Sequence, residues 1–234
     1  MTAPPYAMRM IWRRLCFMHW PVSASVLQAQ LPKGLRLDTY HGQAYLGVVP
    51  FLMADVAPRG LPAVGRLSAF AELNLRTYVV DAEGVAGVWF FSLDAEQPVA
   101  VRLARLGFHL PYFDARMWSA QRGDLTEYAS VRTHKGARPG VFAGAYRPVG
   151  PAFESQEGSL EAWLTERYFL HSAASGRIYR GQIWHRRWPL QRAEAEVRVN
   201  TLPELVGLKV QGEPHLLYGE ELVVRAGLIT RVRS

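Results

Sequence analysis

The sequence predicts an α+β fold, rich in β-strand, built on a curved or closed antiparallel sheet of barrel-like form with a few helices. Three observations carry that expectation. Alternating runs of aromatic and β-branched residues recur along the chain, bounded by turn-forming glycines and prolines. Only two segments show the spacing of a substantial helix. No strand–helix–strand rhythm joins them, which argues against a doubly wound parallel sheet. At 234 residues, 49% apolar and 20% charged, the chain can bury about 70% of its unfolded surface. A single domain over residues 1–234 is expected.

Taken in order, Gln43 to Phe51 reads as a strand, and Asp55 to Ser68, rich in proline and glycine, reads as a connecting loop. In the run from Glu72 to Val79, Leu73, Leu75 and Val79 point one way and Glu72, Asn74, Arg76 and Tyr78 the other. Asp81 to Gly84 supplies a turn, and Val88 to Asp94 returns as the second strand of a hairpin. A helix follows, with Pro98 in its first turn, Val99, Leu103 and Leu106 on one stripe, and Gly107 as its stop. Leu125–Arg132 and Val141–Arg147 form two more strands joined by a turn-rich connection. Ser159 caps a second helix bearing Leu160, Trp163, Leu164 and Tyr168. Gly176 to His185 is strand-like, and His215 to Val232 reads as a closing hairpin about Arg225-Ala226-Gly227.

Net charge is +7, yet of 27 basic residues only Lys33, Lys135 and Lys209 are lysines. The arginines are scattered, with no run of like charges, so nucleic-acid binding is the weakest of the readings considered. No stretch of about 18 apolar residues occurs, so no membrane span is expected. The apolar N-terminal region is broken by Arg9, Arg13 and Arg14 and does not read as a signal peptide. Cys16 is the one cysteine, which excludes an internal disulfide and fits a cytoplasmic protein. The histidines are dispersed without metal-ligand spacing, and no glycine-rich phosphate loop is present, so neither a metal nor a cofactor is expected. Asp94 reads as the start of a turn. A homo-oligomer is compatible with the composition.

The segment Gly107-Phe108-His109-Leu110-Pro111-Tyr112-Phe113-Asp114 is the most informative. Together with Phe17-Met18-His19-Trp20-Pro21, Glu72-Leu73-Asn74-Leu75-Arg76, Tyr146-Arg147-Pro148 and Trp188-Pro189-Leu190-Gln191, it resembles an uncharacterised bacterial family, the YqjF-like proteins. That family resembles a distant branch of the acetoacetate decarboxylase superfamily. The resemblance, which covers almost the whole chain, implies a β-rich, barrel-like fold around a mostly apolar pocket. Acetoacetate decarboxylases use two adjacent lysines after a proline, one forming a Schiff base with a β-keto acid and the other lowering its pKa. Here Tyr112 and Phe113 follow Pro111, and neither can form an imine. The family's acid on the neighbouring strand matches Glu72.

The polar run on Glu72, Asn74, Arg76 and Tyr78 suits either the solvated face of a two-sided strand or the wall of a cavity. In a cavity, Glu72 and Tyr112 are the candidate acid/base groups, and Arg76 and Arg116 the candidate anion-orienting ones. Trp89, Phe91 and Phe113 are the candidate apolar contacts, although Tyr112 and Phe113 also suit a packed core. The expected partner is a small organic anion, either a keto acid or an apolar carboxylate. Two functions fit: lyase-like acid/base chemistry without a Schiff base, or a non-catalytic ligand-binding module.

Overall fold

The computed structural model describes residues 6–233. Along the chain run β1 (Met8–Val22), α1 (Ala24–Ala29), β2 (Leu35–Leu37), β3 (Ala44–Pro58), β4 (Phe70–Asp81), β5 (Ala86–Ala95) and α2 (Pro98–Phe108). They are followed by β6 (Tyr112–Arg122), β7 (Leu125–Arg132), β8 (Val141–Phe153), α3 (Leu160–Thr165), β9 (Phe169–Ala174), β10 (Arg177–Trp184), β11 (Leu190–Asn200) and β12 (His215–Arg231). All twelve strands belong to one ring-like sheet.

Three strands change neighbours along their length, β4 exchanging β3 for β2 beyond Arg76. β5 pairs in parallel with β9 at Val88 and Trp89, then in parallel with β6 from Leu93 to Ala95. β12 pairs with β11 at residues 217–219 and with β10 at residues 225–231. The pairings therefore trace two closed rings that share β1, β3 and β4 along their length and part at β5 and β12, which belong to both. Most pairs are antiparallel, as the alternating runs predict. The exceptions lie at β5, where β5–α2–β6 forms one strand–helix–strand crossover that the hydrophobic rhythm did not reveal.

Because the shared strands divide two lobes, both of their faces are buried. Leu15, Phe17, Val49 and Phe51 pack into one core with α2 above it, while Cys16, Met18, Val48, Leu73 and Leu75 pack into the other. Such strands read as near-continuous apolar runs. The polar face of β4 is accordingly not solvated: Glu72, Asn74 and Tyr78 are buried and Arg76 is half-buried.

Local readings hold at the Ser159 cap and the Asp81 turn and fail at two glycines. Ser159 accepts from the Ala162 amide and starts α3. The Asp81 carboxylate accepts from the amides of Glu83 and Val85 and shapes the β4–β5 turn. α2 runs past Gly107 to Phe108, and His109, at φ 53°, supplies the left-handed cap. Residues 215–231 form one continuous strand rather than a hairpin. Gly227 is not a turn: a Cβ there would lie 2.9 Å from the Trp184 ring, so glycine admits an indole instead of reversing the chain. Asp94 is likewise no turn residue; it is wholly buried and ion-paired to Arg132 at 2.7 Å.

Candidate functional site

A cavity of about 410 Å³ occupies the lobe beneath α2. Its floor is the shared sheet, through Phe17, Phe51, Glu72, Asn74 and Arg76; its roof is α2 together with residues from the 58–68 loop. Leu110, Trp188 and Ile183 close further sides. Apolar side chains dominate this wall, as in pockets built for organic ligands.

Glu72, on the floor, is wholly buried. Tyr112, the first residue of β6, lies opposite because β6 pairs in parallel with β5 from Leu93 onward. Arg105 of α2 donates to the Tyr112 carbonyl at 2.6 Å and holds that strand start in place. The Tyr112 hydroxyl donates to Glu72 Oε2 at 3.1 Å. Beneath them, the Tyr128 hydroxyl donates to the Glu72 carbonyl at 2.8 Å. Burial raises the Glu72 pKa to about 8; the hydrogen bonds from Tyr112 and Asn74 oppose that shift without cancelling it. At pH 7 this side chain is a neutral carboxylic acid. Burial and the neighbouring Glu72 together push the Tyr112 phenol well above its ordinary value, so it too keeps its proton.

Arg76 lies two pleats along β4, roughly 13 Å of strand from Glu72. Its Nη2 donates to the Tyr78 hydroxyl at 3.2 Å and to the Leu164 carbonyl at 3.1 Å, and its Cζ sits 5.3 Å from the Phe17 ring centroid. No carboxylate lies within ion-pair distance of it among the described residues, and its buried Nε has no partner. Arg167 also lines the cavity. It is paired with Asp38 at 2.8 Å, yet its buried Nη2 has no hydrogen-bond partner. Both guanidiniums lean on the Tyr78 ring, which ties them to one end of the site. His19 and Tyr78 complete this backing: the His19 Nε2 lies 2.7 Å from the Tyr78 oxygen, while Tyr78 donates to the Leu164 carbonyl at 2.7 Å.

Of the residues singled out in the sequence, Glu72, Arg76 and Tyr112 meet on this cavity, and the other four do not. Arg116, four residues along β6 from Tyr112, is exposed and does not line the cavity. Phe113 alternates away from Tyr112 and lies over Arg132, 4.3 Å from its guanidinium carbon. Trp89 packs with Leu35, Val79 and Ile178, and Phe91 with the core of the second lobe. A β-bulge explains β5: Ser92 pairs with Leu75 and Phe90 with Arg76, leaving Phe91 as the extra residue. That one-residue slip puts Val88 and Phe90 on the cavity wall before the bulge and Leu93 after it. The sequence does not assign Arg167 or His185 to the site, since Glu166-Arg167 suits an ordinary salt bridge on a helix and His185 is one of several dispersed histidines.

No lysine is among the residues lining the cavity. Lys33, Lys135 and Lys209 are all exposed.

Comparisons with known proteins agree on fold and family. The acetoacetate decarboxylase from Legionella pneumophila superposes with a TM-score of 0.66 at 14% identity, over 100% of this chain and 92% of that one. The enduracididine biosynthesis enzyme MppR, solved with HEPES buffer bound, gives 0.69 at 10% identity over 99% and 89%; other structures of MppR hold pyruvate or the condensation product of pyruvate and imidazole 4-carboxaldehyde. At such identities the likeness shows an acetoacetate decarboxylase-like fold alone. The uncharacterized protein YqjF of Bacillus subtilis (strain 168) is 43% identical over 217 residues, 92% of this chain and 88% of that protein. Residues 9–222 match the DUF2071 model, described as an uncharacterized conserved protein, and the chain belongs to that family.

Proposed function

We propose that the chain binds a small organic anion, a keto acid or an apolar carboxylate, in the cavity beneath α2. One observation carries the reading: Arg76 presents a guanidinium without a counter-charge of its own at one end of an apolar chamber whose only lining acid among the described residues, Glu72, is held neutral. An unpaired charge in such surroundings is costly, and a carboxylate offered to its two-pronged donors offsets that cost. Keto acids also suit the fold's solved neighbours, among which MppR is recorded with pyruvate.

The same reading gives Glu72 and Tyr112 a chemical role. A neutral carboxylic acid beside a phenol can donate a proton to a developing enolate or alkoxide and take it back, which is lyase-like acid/base chemistry. Imine formation with a cavity lysine is not part of the proposal, since all three lysines face solvent.

Calorimetry with a panel of keto acids and aliphatic carboxylates tests the binding, and proton NMR of the same mixtures tests turnover. Arg76→Leu is expected to lower the affinity about a hundredfold, the scale of losing a buried charged partner. Equal affinity in that variant would refute the proposal. Borohydride added with acetoacetate is expected to leave the intact mass unchanged, and a stoichiometric gain on a lysine would bring the Schiff base back. Binding without turnover in wild type would reduce the protein to a ligand-binding module.

A further inference from the structure

We infer that the anion taken by this cavity is amphipathic, with its charged end at Arg76 and an apolar body that runs outward between α2 and the 58–68 loop. The inference rests on the anion reading above and adds the size, polarity and direction of the ligand.

Three features of the chamber point this way. The first is volume. About 410 Å³ corresponds to roughly 14 water-sized volumes, whereas pyruvate or acetoacetate has half that number of heavy atoms or fewer. The wall offers water few partners, so a short acid would leave most of the chamber neither filled nor well wetted.

The second is the gradient of exposure along the wall. Every exposed lining residue is apolar: Pro58, Pro62, Val64 and Leu67 form one lip, and Val99 and Leu103 the other. Val64 keeps 59% of its surface and Leu103 keeps 65%. The charged and amide groups on the wall, Glu72, Asn74, Arg76 and Arg167, are buried or half-buried. A ligand satisfying both ends is charged inside and greasy toward the opening.

The third is the composition of α2. The apolar stripe of Val99, Leu103 and Leu106 faces outward, while Ala100 and Ala104 line the cavity. A helix that served only to seal a core would turn its larger side chains inward. Here Val101 is buried and Phe108 lines one end of the wall, but Ala100 and Ala104 leave the chamber open between them while Val99 and Leu103 edge its mouth, an arrangement that fits a chain passing between the lips.

Calorimetric titration of saturated carboxylates from butyrate to decanoate, with 1-decanol as the uncharged control, tests the inference. Affinity is expected to rise about two- to fourfold with each added methylene until the chain reaches the lips, and decanol is expected to bind far more weakly than decanoate. Leu103→Asp, on an exposed position, should lower the decanoate-to-butyrate affinity ratio at least tenfold, and Ala104→Phe should do the same by filling the path. Thermal unfolding of both variants confirms that they fold. Butyrate and decanoate binding equally, with Arg76→Leu still weakening both, would overturn the amphipathic ligand and leave the anion reading standing. No carboxylate of any length binding, or decanol matching decanoate, would overturn the anion reading and this inference with it.

Discussion

Glu72→Gln is expected to stabilise the protein, and the gain should grow from nothing at pH 4 to its full size near pH 8. The side chain is wholly buried and its pKa rises from 4.5 to about 8. Between those values the folded chain holds a proton that the unfolded chain has released. The stability conferred by that neutral acid is therefore complete below about pH 4.5 and is lost as pH climbs through 8. Each pKa unit corresponds to about 1.4 kcal/mol, so the wild-type deficit at pH 8 is on the order of 3–5 kcal/mol. An uncharged amide of the same shape carries no such deficit. For a chain of this length the variant should melt about 10 °C higher at pH 8, with a flatter pH profile. Any turnover found for wild type should disappear in the same variant. A melting temperature that is unchanged or lower at pH 8, with an identical profile, would mean that Glu72 ionises freely and that the chamber is wetter than its lining implies.

Arg132→Ala is expected to cost about 3–5 kcal/mol in urea unfolding at pH 7, the scale of breaking a buried ion pair from one side. Arg132 Nε donates to Asp94 Oδ1 at 2.9 Å, and both side chains are shielded from solvent. Burial raises the Asp94 carboxyl to about 6 even with the guanidinium opposing it, so once the arginine is gone the carboxyl moves higher still and the folded chain must hold at pH 7 a proton that the unfolded chain releases. Phe113 loses its stacking partner as well. Because the pair joins β5 to the end of β7, the damage should fall on ring closure rather than on the cavity. Adding Asp94→Leu to that variant is expected to restore most of the loss, since an apolar pair leaves no charge unpaired. A loss below about 1 kcal/mol in the single variant would show the pair to be solvated.

Much of this architecture was legible in the amino-acid order. The β4–β5 hairpin, the cap at Ser159 and the β7–β8 pair follow from side-chain period and turn chemistry, which act over a few residues. Glu72, Arg76 and Tyr112 were legible for a different reason: β4 alternates without interruption as far as Arg76, and the Pro111-Tyr112 context resembles a known site position. What stayed hidden depends on long-range pairing. The bulge at Phe91 slips the alternation of β5 by one residue, so Trp89 and Phe91 looked inward where Val88 and Phe90 do. The apolar stripe of α2 left open what it packs against, because period cannot distinguish a core from the rim of a chamber. Gly227 resembled a turn residue because only the fold brings Trp184 against it. Phe113 sits in the right segment on the wrong side of its strand, and Arg116, four residues beyond Tyr112, lies where β6 has left the cavity.

The pairing of β1 with β12 bears on how the protein comes into being. Met8 lies opposite Ala226 and His19 opposite His215, so the earliest and latest strands are neighbours in both rings. During synthesis neither ring can close until β12 has left the ribosome, and until then β1 exposes a long unpaired edge. Acquisition of the native state is therefore a late, slow event dominated by contacts between distant parts of the chain, and a nascent fragment stalled before residue 215 should depend on chaperones to stay in solution.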